Sequence, residues 1–122
     1  MAKRHEHGRQ AEDLVAAYLA ALGCEVLDRN VRVGSLELDI IAREGRTLAI
    51  VEVRTRGATA WESAFGSISG LKQRRVRDAA AVLWATRFSK WPMLDGVRFD
   101  VAAVSLEARA EEQIDYIKAA FI

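Results

Sequence analysis

The chain has 122 residues, of which 51% are hydrophobic and 29% charged, with a formal net charge of +1. This length favours one domain with one core over residues 1–122, and no apolar run is long enough to span a bilayer. The single cysteine, Cys24, excludes an internal disulfide and a cysteine-based metal site, and the polar start lacks the apolar centre of a signal peptide. A cytoplasmic protein with no membrane contact is expected.

The first predicted element is an amphipathic helix. Apolar residues recur at intervals of three and four between Gly8 and Leu22, and Gly23 ends the pattern. Residues 1–7 are polar and are expected to form a frayed terminus.

Three strands are predicted next, over 24–33, 36–43 and 47–54. These segments are short, rich in valine and isoleucine, and alternate in character. They lie close enough in sequence to form an antiparallel meander. A fourth strand is predicted over 97–105 on the same grounds.

A second helix is predicted between the third and fourth strands, over 71–88, with Pro92 just beyond it. The glycine- and serine-rich segment 57–70 is expected to be a mobile loop. The tail, 111–118, could be a short helix or a last edge strand. The order helix, three strands, helix, strand predicts an α/β fold around one sheet.

The second and third strands carry charges where a buried strand should be apolar. Glu37 and Asp39 share one face of the second strand because side chains alternate along a strand. Glu52 and Arg54 share one face of the third. A turn at Gly45–Arg46 would place Asp39 across from Glu52, whereas a turn one residue earlier would place Glu37 there. Either register crowds like charges on one face.

This charged face has two interpretations. It could be a solvent-exposed cluster in which Arg54 neutralises the acids, or it could bind a divalent cation. Three acids against one base leave surplus negative charge, and crowded carboxylates are expected to have raised pKa values. Mg²⁺ is commonly held by one or two carboxylates together with water and phosphate oxygens, and it then polarises a phosphodiester. The surplus of acids favours the cation site.

Six segments follow one another along nearly the whole chain: G-R-Q-A-E-D-L-V-A-A-Y-L, D-R-N-V-R-V, E-L-D-I-I-A, V-E-V-R-T-R, K-Q-R-R-V-R-D-A-A and R-F-D-V. As a set they resemble the YraN-type family of bacterial endonuclease-like proteins. That family is similar to the PD-(D/E)XK nuclease superfamily. The resemblance implies a restriction endonuclease-like α-β-β-β-α-β core, with a mixed central sheet flanked by helices.

The resemblance also implies a function, which is metal-dependent hydrolysis of DNA with Mg²⁺ or Mn²⁺ as cofactor. It makes Asp39 and Glu52 the metal-binding acids of the site. Glu37 matches the acid of the family's G-E-x-D element and is implied as a supporting metal ligand. Glu12 of the first helix is implied as a further catalytic acid that reaches the same site.

Arg54 stands where the superfamily has its catalytic lysine. Arginine keeps the positive charge but cannot practically be deprotonated, so Arg54 can stabilise charge and cannot act as a base. The alternative to a nuclease is therefore a nucleic-acid-binding module that kept the fold and lost the chemistry. A third hypothesis, a protein-interaction domain, rests on the near-neutral net charge.

Basic residues gather at the start of the second helix, where they oppose the helix dipole, so dipole stabilisation does not explain them. Contact with phosphate does, and an ordinary solvated face is the alternative. The predicted nucleic-acid-binding residues are Lys72, Gln73, Arg74, Arg75, Arg77 and Arg56, with DNA as the expected partner. The apolar loop residues Trp61, Phe65 and Ile68 could pair two copies into a homodimer.

Overall fold

Two helices and five strands make up the part of the chain that the computed structural model describes, which is residues 2–55, 68–107, 109 and 113–122, with side chains from Gly8 onward. The elements are α1 (Ala2–Ala21), β1 (Glu25–Val33), β2 (Leu36–Glu44), β3 (Thr47–Thr55), α2 (Gly70–Leu83), β4 (Gly96–Val104) and β5 (Ile114–Phe121). A π-helical turn, Trp84–Phe88, continues α2. The predicted order of elements is confirmed, and the tail forms a strand.

The ends of the chain differ most from the sequence prediction. Helix α1 begins at Ala2, so residues 2–7, which were predicted to be frayed, are helical. The apolar periodicity used to locate the helix starts only after Gly8, whereas the polar residues before it have adequate helix propensity. Most of the predicted loop, residues 57–67, lies outside the described residues. Ser69 caps α2, which begins at Gly70.

The strands form one mixed sheet in the order β1-β2-β3-β4-β5. The first three pair antiparallel, as predicted for a meander, and β5 pairs antiparallel with β4 at the edge. Strands β3 and β4 pair in parallel, which requires the crossover that contains α2. The predicted α/β fold with a mixed central sheet and flanking helices is thus confirmed.

Each face of the sheet carries its own apolar core, one under α1 and one under α2. In β3, Val51 and Val53 belong to the core under α1, whereas Ile50 belongs to the core under α2. Glu52 and Arg54 alternate with the two valines, so they point toward the α2 side. This places the charged side chains of β3 on the side where α2 begins.

A buried charge network ties β4 to β5. Asp100 is fully buried, and its carboxylate accepts hydrogen bonds from Arg98 Nε at 2.8 Å, from the Tyr116 hydroxyl at 2.6 Å and from the Ala119 backbone N–H at 2.9 Å. Arg98 also pairs with Glu44 at 2.9 Å. Burial, together with the Asp100 carboxylate, raises the pKa of Tyr116 above its ordinary value. The network is satisfied within the protein, so it serves the fold.

Two expectations from composition can be compared with the fold. Cys24 is a free cysteine and is buried, as is common for its small apolar side chain. Within the described ranges, no helix is both long and apolar enough to cross a membrane.

Candidate active site

Strand β2 separates from β3 beside the two central acids. The ladder runs from Glu44 opposite Thr47 at the turn to Ile40 opposite Val51 at its far end. This is the register predicted for a turn at Gly45–Arg46, and Gly45 has the positive φ of 60° that such a turn needs. From there toward its beginning, β2 continues to pair with β1. We call the resulting opening between β2 and β3 the fork.

Asp39 lies at the fork. Its Oδ2 accepts a hydrogen bond of 2.8 Å from the backbone N–H of Val53, so the side chain bridges the two strands. The regular alternation predicted for β2, which would put Leu36, Leu38 and Ile40 on the face opposite Glu37 and Asp39, breaks at this point. Leu36 and Leu38 pack in the core under α2, whereas Ile40 packs in the core under α1. The break lies where β2 loses β3 as its ladder partner, and beside Asn30 of β1, which has a positive φ of 53°.

Glu52 is the second acid of the fork, and it is only 7% exposed. Its Oε1 lies 3.4 Å from Nζ of Lys72, in the first turn of α2. The backbone N–H of Lys72 donates to Oγ of Ser69 at 3.1 Å, which fixes the start of the helix. Since a buried carboxylate is costly without a partner, the ammonium group delivered by α2 stabilises Glu52. We call Asp39 and Glu52 the acid pair.

The acid pair is crowded enough to change how Asp39 titrates. Burial raises the pKa of Asp39 to about 7, and the charge of Glu52, followed by that of Glu12, adds to the rise. The Val53 N–H and the Lys72 ammonium act in the opposite direction. The raised pKa expected from the crowded carboxylates is therefore found at Asp39, and a cation between the two acids would relieve the repulsion.

The other two predicted acids occupy different places. Glu12 is close enough for its charge to act on Asp39, but its Oε1 also lies 3.7 Å from Nη2 of Arg29. Glu37 is on the β1–β2 ladder, where its side chain is 45% exposed and pairs with Arg32 at 3.7 Å. The structure therefore brings Glu12 toward the acid pair and leaves Glu37 away from it.

The acid pair suits a cation that takes few protein ligands. In the described part of the chain, no three acidic, histidine or cysteine side chains come together as a metal site. Mg²⁺ is usually held by one or two carboxylates, with water and phosphate oxygens as its other ligands. The two carboxylates thus fit Mg²⁺ or Mn²⁺ bound together with a phosphate, and they do not form a closed metal cage.

Arg54 follows Glu52 on the same side of β3, but it does not neutralise the acid pair. Among the described residues, no ion pair joins its guanidinium to Asp39 or Glu52, and its buried Nε has no hydrogen-bond partner. The cation beside the acids is Lys72, which the sequence placed with the nucleic-acid-binding residues. The interpretation of the charged face as an exposed cluster neutralised by Arg54 is wrong, since Glu52 is buried.

The other predicted nucleic-acid-binding residues divide between two sides of α2. Arg75 lines a groove of about 570 Å³ between α2 and the turn after β1, together with Gly34 and Ser35. Arg77 lies on the opposite side, where it donates to the Ile122 carbonyl oxygen at 2.6 Å and lines a separate groove with Trp84. The two arginines therefore lie on different sides of α2, and each groove also includes an aspartate, Asp78 beside Arg75 and Asp95 beside Arg77.

The remaining predicted nucleic-acid-binding residues are Gln73, Arg74 and Arg56. The Gln73 side chain donates to the carbonyl oxygen of Ile68 at 3.2 Å, and Arg74 is exposed. Arg56 lies outside the described residues, as do Trp61 and Phe65 of the predicted dimer contact. Ile68, the third residue of that contact, is 5% exposed and packs inside the protein.

Comparison with known proteins gives a consistent family match. A model of the uncharacterised protein family UPF0102 matches residues 11–104. A UPF0102 protein of Sorangium cellulosum is 47% identical over 118 residues, covering 97% of this chain and 82% of the relative. A UPF0102 protein of Frankia casuarinae is 40% identical over 93% of this chain and 94% of its own length. The family model covers the second half of α1, the fork and α2.

Proposed function

The chain belongs to the uncharacterised protein family UPF0102, and we propose that it is a metal-dependent nuclease that hydrolyses phosphodiester bonds in DNA. The acid pair carries the proposal. Glu52 is 7% exposed and burial raises the pKa of Asp39 to about 7, so the fold keeps two costly carboxylates side by side. Such an arrangement is typical of a functional site. The resemblance to PD-(D/E)XK nucleases supports the same two residues.

The reaction would take place at the open side of the fork. Hydrolysis joins a water oxygen to phosphorus and breaks the bond from phosphorus to the leaving sugar oxygen. The water loses a proton to solvent, and the leaving oxygen takes one up. Mg²⁺ or Mn²⁺, when bound, supplies Lewis-acid polarisation of the phosphate. Asp39 and Glu52 would hold the cation, and the hydrogen bond from Val53 keeps the Asp39 carboxylate in place.

Basic side chains around the fork favour an anionic polymer as the substrate. Lys72 and Arg75 lie on the side of α2 that faces the fork and the β1–β2 turn. Arg32 is on the β1–β2 ladder with 68% of its side chain exposed. Positive side chains on both sides of an opening can contact successive phosphates of a nucleic acid, and each contact adds to the salt dependence of binding.

The proposal is tested by a nuclease assay on linear, nicked and branched DNA with Mg²⁺ or Mn²⁺. We expect cleavage that EDTA abolishes and that both Asp39→Asn and Glu52→Gln reduce strongly. Glu107→Gln is the matched control, because Glu107 is exposed and lies in the turn after β4. Absence of cleavage on every substrate, or cleavage that persists in both fork variants, would overturn the proposal.

One observation favours a second candidate, a DNA-binding module that does not cleave. Arg54 occupies the position of the superfamily's lysine, and the Lys72 ammonium already neutralises Glu52. This candidate predicts salt-sensitive DNA binding without cleavage by the natural protein. It would be supported if Arg54→Lys produced cleavage where the natural protein gave none, and it fails if the natural protein cuts.

A further inference from the structure

We propose that Lys72, and not Arg54, is the basic catalytic residue of the fork: its ammonium group, carried by the first turn of α2, faces the scissile phosphate alongside the acid pair. The inference rests on the proposed nuclease function and identifies the cation that this active site uses. It moves the third member of the site from β3 to α2, which begins at Gly70.

The position of Lys72 relative to Glu52 is the first support. Nζ of Lys72 lies 3.4 Å from Oε1 of Glu52, and the two side chains are 31% and 9% exposed, respectively. The lysine therefore reaches the acid from the solvent side, and the acid lies behind it. A phosphate that entered the fork would meet the ammonium group before it met the carboxylate.

The start of α2 holds this side chain in place. The Lys72 N–H donates to Oγ of Ser69 at 3.1 Å, and the Gln73 N–H donates to the Ser69 carbonyl oxygen at 2.9 Å. The Gln73 side chain bonds to Ile68, and Val76, one turn later, is buried in the core under α2. A charged group on an anchored helical turn is preorganised, which is what stabilisation of a transition state requires.

Arg54 lacks the corresponding contacts. Within the described residues, its buried Nε has no hydrogen-bond partner, and its guanidinium forms no ion pair with either acid. Lys72 Nζ, in contrast, lies 3.4 Å from Oε1 of Glu52. The two basic residues are thus not equivalent, because Lys72 forms an ion pair with Glu52 and Arg54 forms none with either acid in the described part of the chain.

The proposed role of Lys72 requires no proton transfer. The ammonium group donates hydrogen bonds to a non-bridging oxygen of the phosphate, and its charge offsets the negative charge that grows there as water attacks. The attacking water and the leaving oxygen exchange their protons with solvent, as in the reaction described above. A compact ammonium group suits a single phosphoryl oxygen, whereas a planar guanidinium presents paired N–H donors that suit two oxygens.

The experiment compares Lys72→Met with Arg54→Met and with the control Lys90→Met, an exposed lysine just after the same helical segment. Single-turnover cleavage of a labelled DNA substrate is measured with Mn²⁺, and DNA affinity is measured by anisotropy with the metal removed. We expect Lys72→Met to lower the rate about a hundredfold, the size of effect seen when one preorganised donor is lost. The loss in DNA affinity should be much smaller, and Arg54→Met should lose less rate than Lys72→Met.

A second readout does not depend on activity. Because Lys72→Met removes an ammonium group that competes for Glu52, we expect Mn²⁺ to raise its melting temperature at lower metal concentrations than in the natural protein. The Lys90→Met protein should respond like the natural one. A weaker Mn²⁺ response in Lys72→Met would overturn the placement of Lys72 beside the acid pair.

The outcomes separate this inference from the function on which it rests. If the natural protein cuts and Asp39→Asn does not, but Lys72→Met cuts as fast as Lys90→Met, the inference fails and the function stands. If the natural protein cuts nothing, both fail. If Lys72→Met does not fold, Lys72→Arg replaces it: a reduced rate at an unchanged melting temperature supports the inference. A full rate in Lys72→Arg together with an inactive Arg54→Met would overturn it.

Discussion

Replacing Asp39 with asparagine should stabilise the metal-free protein, and by an amount that depends on pH. Asparagine keeps an oxygen that can accept the Val53 N–H bond, but it carries no charge beside Glu52. The pKa of Asp39 is raised to about 7 in the folded protein, whereas an unfolded aspartate has a pKa of about 3.9. Folding therefore favours the protonated carboxyl, and its contribution to stability, fully present below about pH 4, is lost as pH rises through 7.

The size of the effect follows from these two pKa values. At pH 5 the Asp39 carboxyl is mostly protonated in the folded natural protein and mostly ionised in the unfolded chain. At pH 8 it is mostly ionised in both states. The natural protein should lose about 2.5 kcal/mol of unfolding free energy between pH 5 and pH 8 from this group, and Asp39→Asn should not. The advantage of the variant over the natural protein should therefore be larger at pH 8 than at pH 5 by about 2.5 kcal/mol.

Urea unfolding in EDTA at the two pH values measures this difference. The two histidines are present in every protein compared, so their titration cancels. Asp95→Asn is the control, because the Arg46 guanidinium holds the pKa of Asp95 below its usual range, and its carboxyl stays ionised across the interval. A difference in unfolding free energy between Asp39→Asn and the natural protein that is the same at pH 5 and pH 8 would refute this reasoning. So would a variant that is less stable than the natural protein at pH 8. Either result would show that burial and charge crowding do not raise the pKa of Asp39.

Three further outcomes are expected. Millimolar Mn²⁺ should raise the melting temperature at neutral pH by an amount equivalent to about 2.7 kcal/mol at a hundredfold excess over its dissociation constant. The rise should shrink at pH 5 and be lost in Asp39→Asn. A Mn²⁺ response that survives in Asp39→Asn would exclude this site. Asp100→Ala should cost about 3–5 kcal/mol in urea unfolding because it removes the buried carboxylate that accepts from Arg98, Tyr116 and Ala119. A loss under about 1 kcal/mol would contradict the network. Ala119 has a φ of 52°, so Ala119→Gly should stabilise by about 1 kcal/mol, and a lower melting temperature would show that its conformation is not strained.

The sequence predicted the elements well because the signals for them are local. Alternating apolar residues located β1 to β4 to within about two residues, and the glycine at position 45 left two registers open, one of which the structure has. The face change between Leu38 and Ile40 was not predictable in this way. Strict alternation assumes an unbroken ladder, and β2 leaves its ladder with β3 at that place.

The candidate site was partly predictable for a similar reason. Asp39 and Glu52 are charged residues in otherwise apolar strands, so they stand out in the sequence. Lys72 does not stand out, because its position beside Glu52 depends on how α2 docks on the sheet. The sequence of the crossover before α2 does not show where the helix docks. A partial signal was present: a helix that links two parallel strands begins near the carboxyl end of the first, and Glu52 lies near that end of β3.

The parallel pairing of β3 with β4 also determines when the site can be completed during folding. Short turns join β1, β2 and β3, so Asp39 and Glu52 can come together by closing small loops. Lys72 can reach them only after α2 has docked, which closes a longer loop than the hairpin does, and contacts between residues further apart in sequence form more slowly. We expect the acid pair to be assembled early and to receive its ammonium partner late. Changes at Lys72 should then act mainly on the unfolding rate, while the hairpin that carries the acids governs how fast the chain folds.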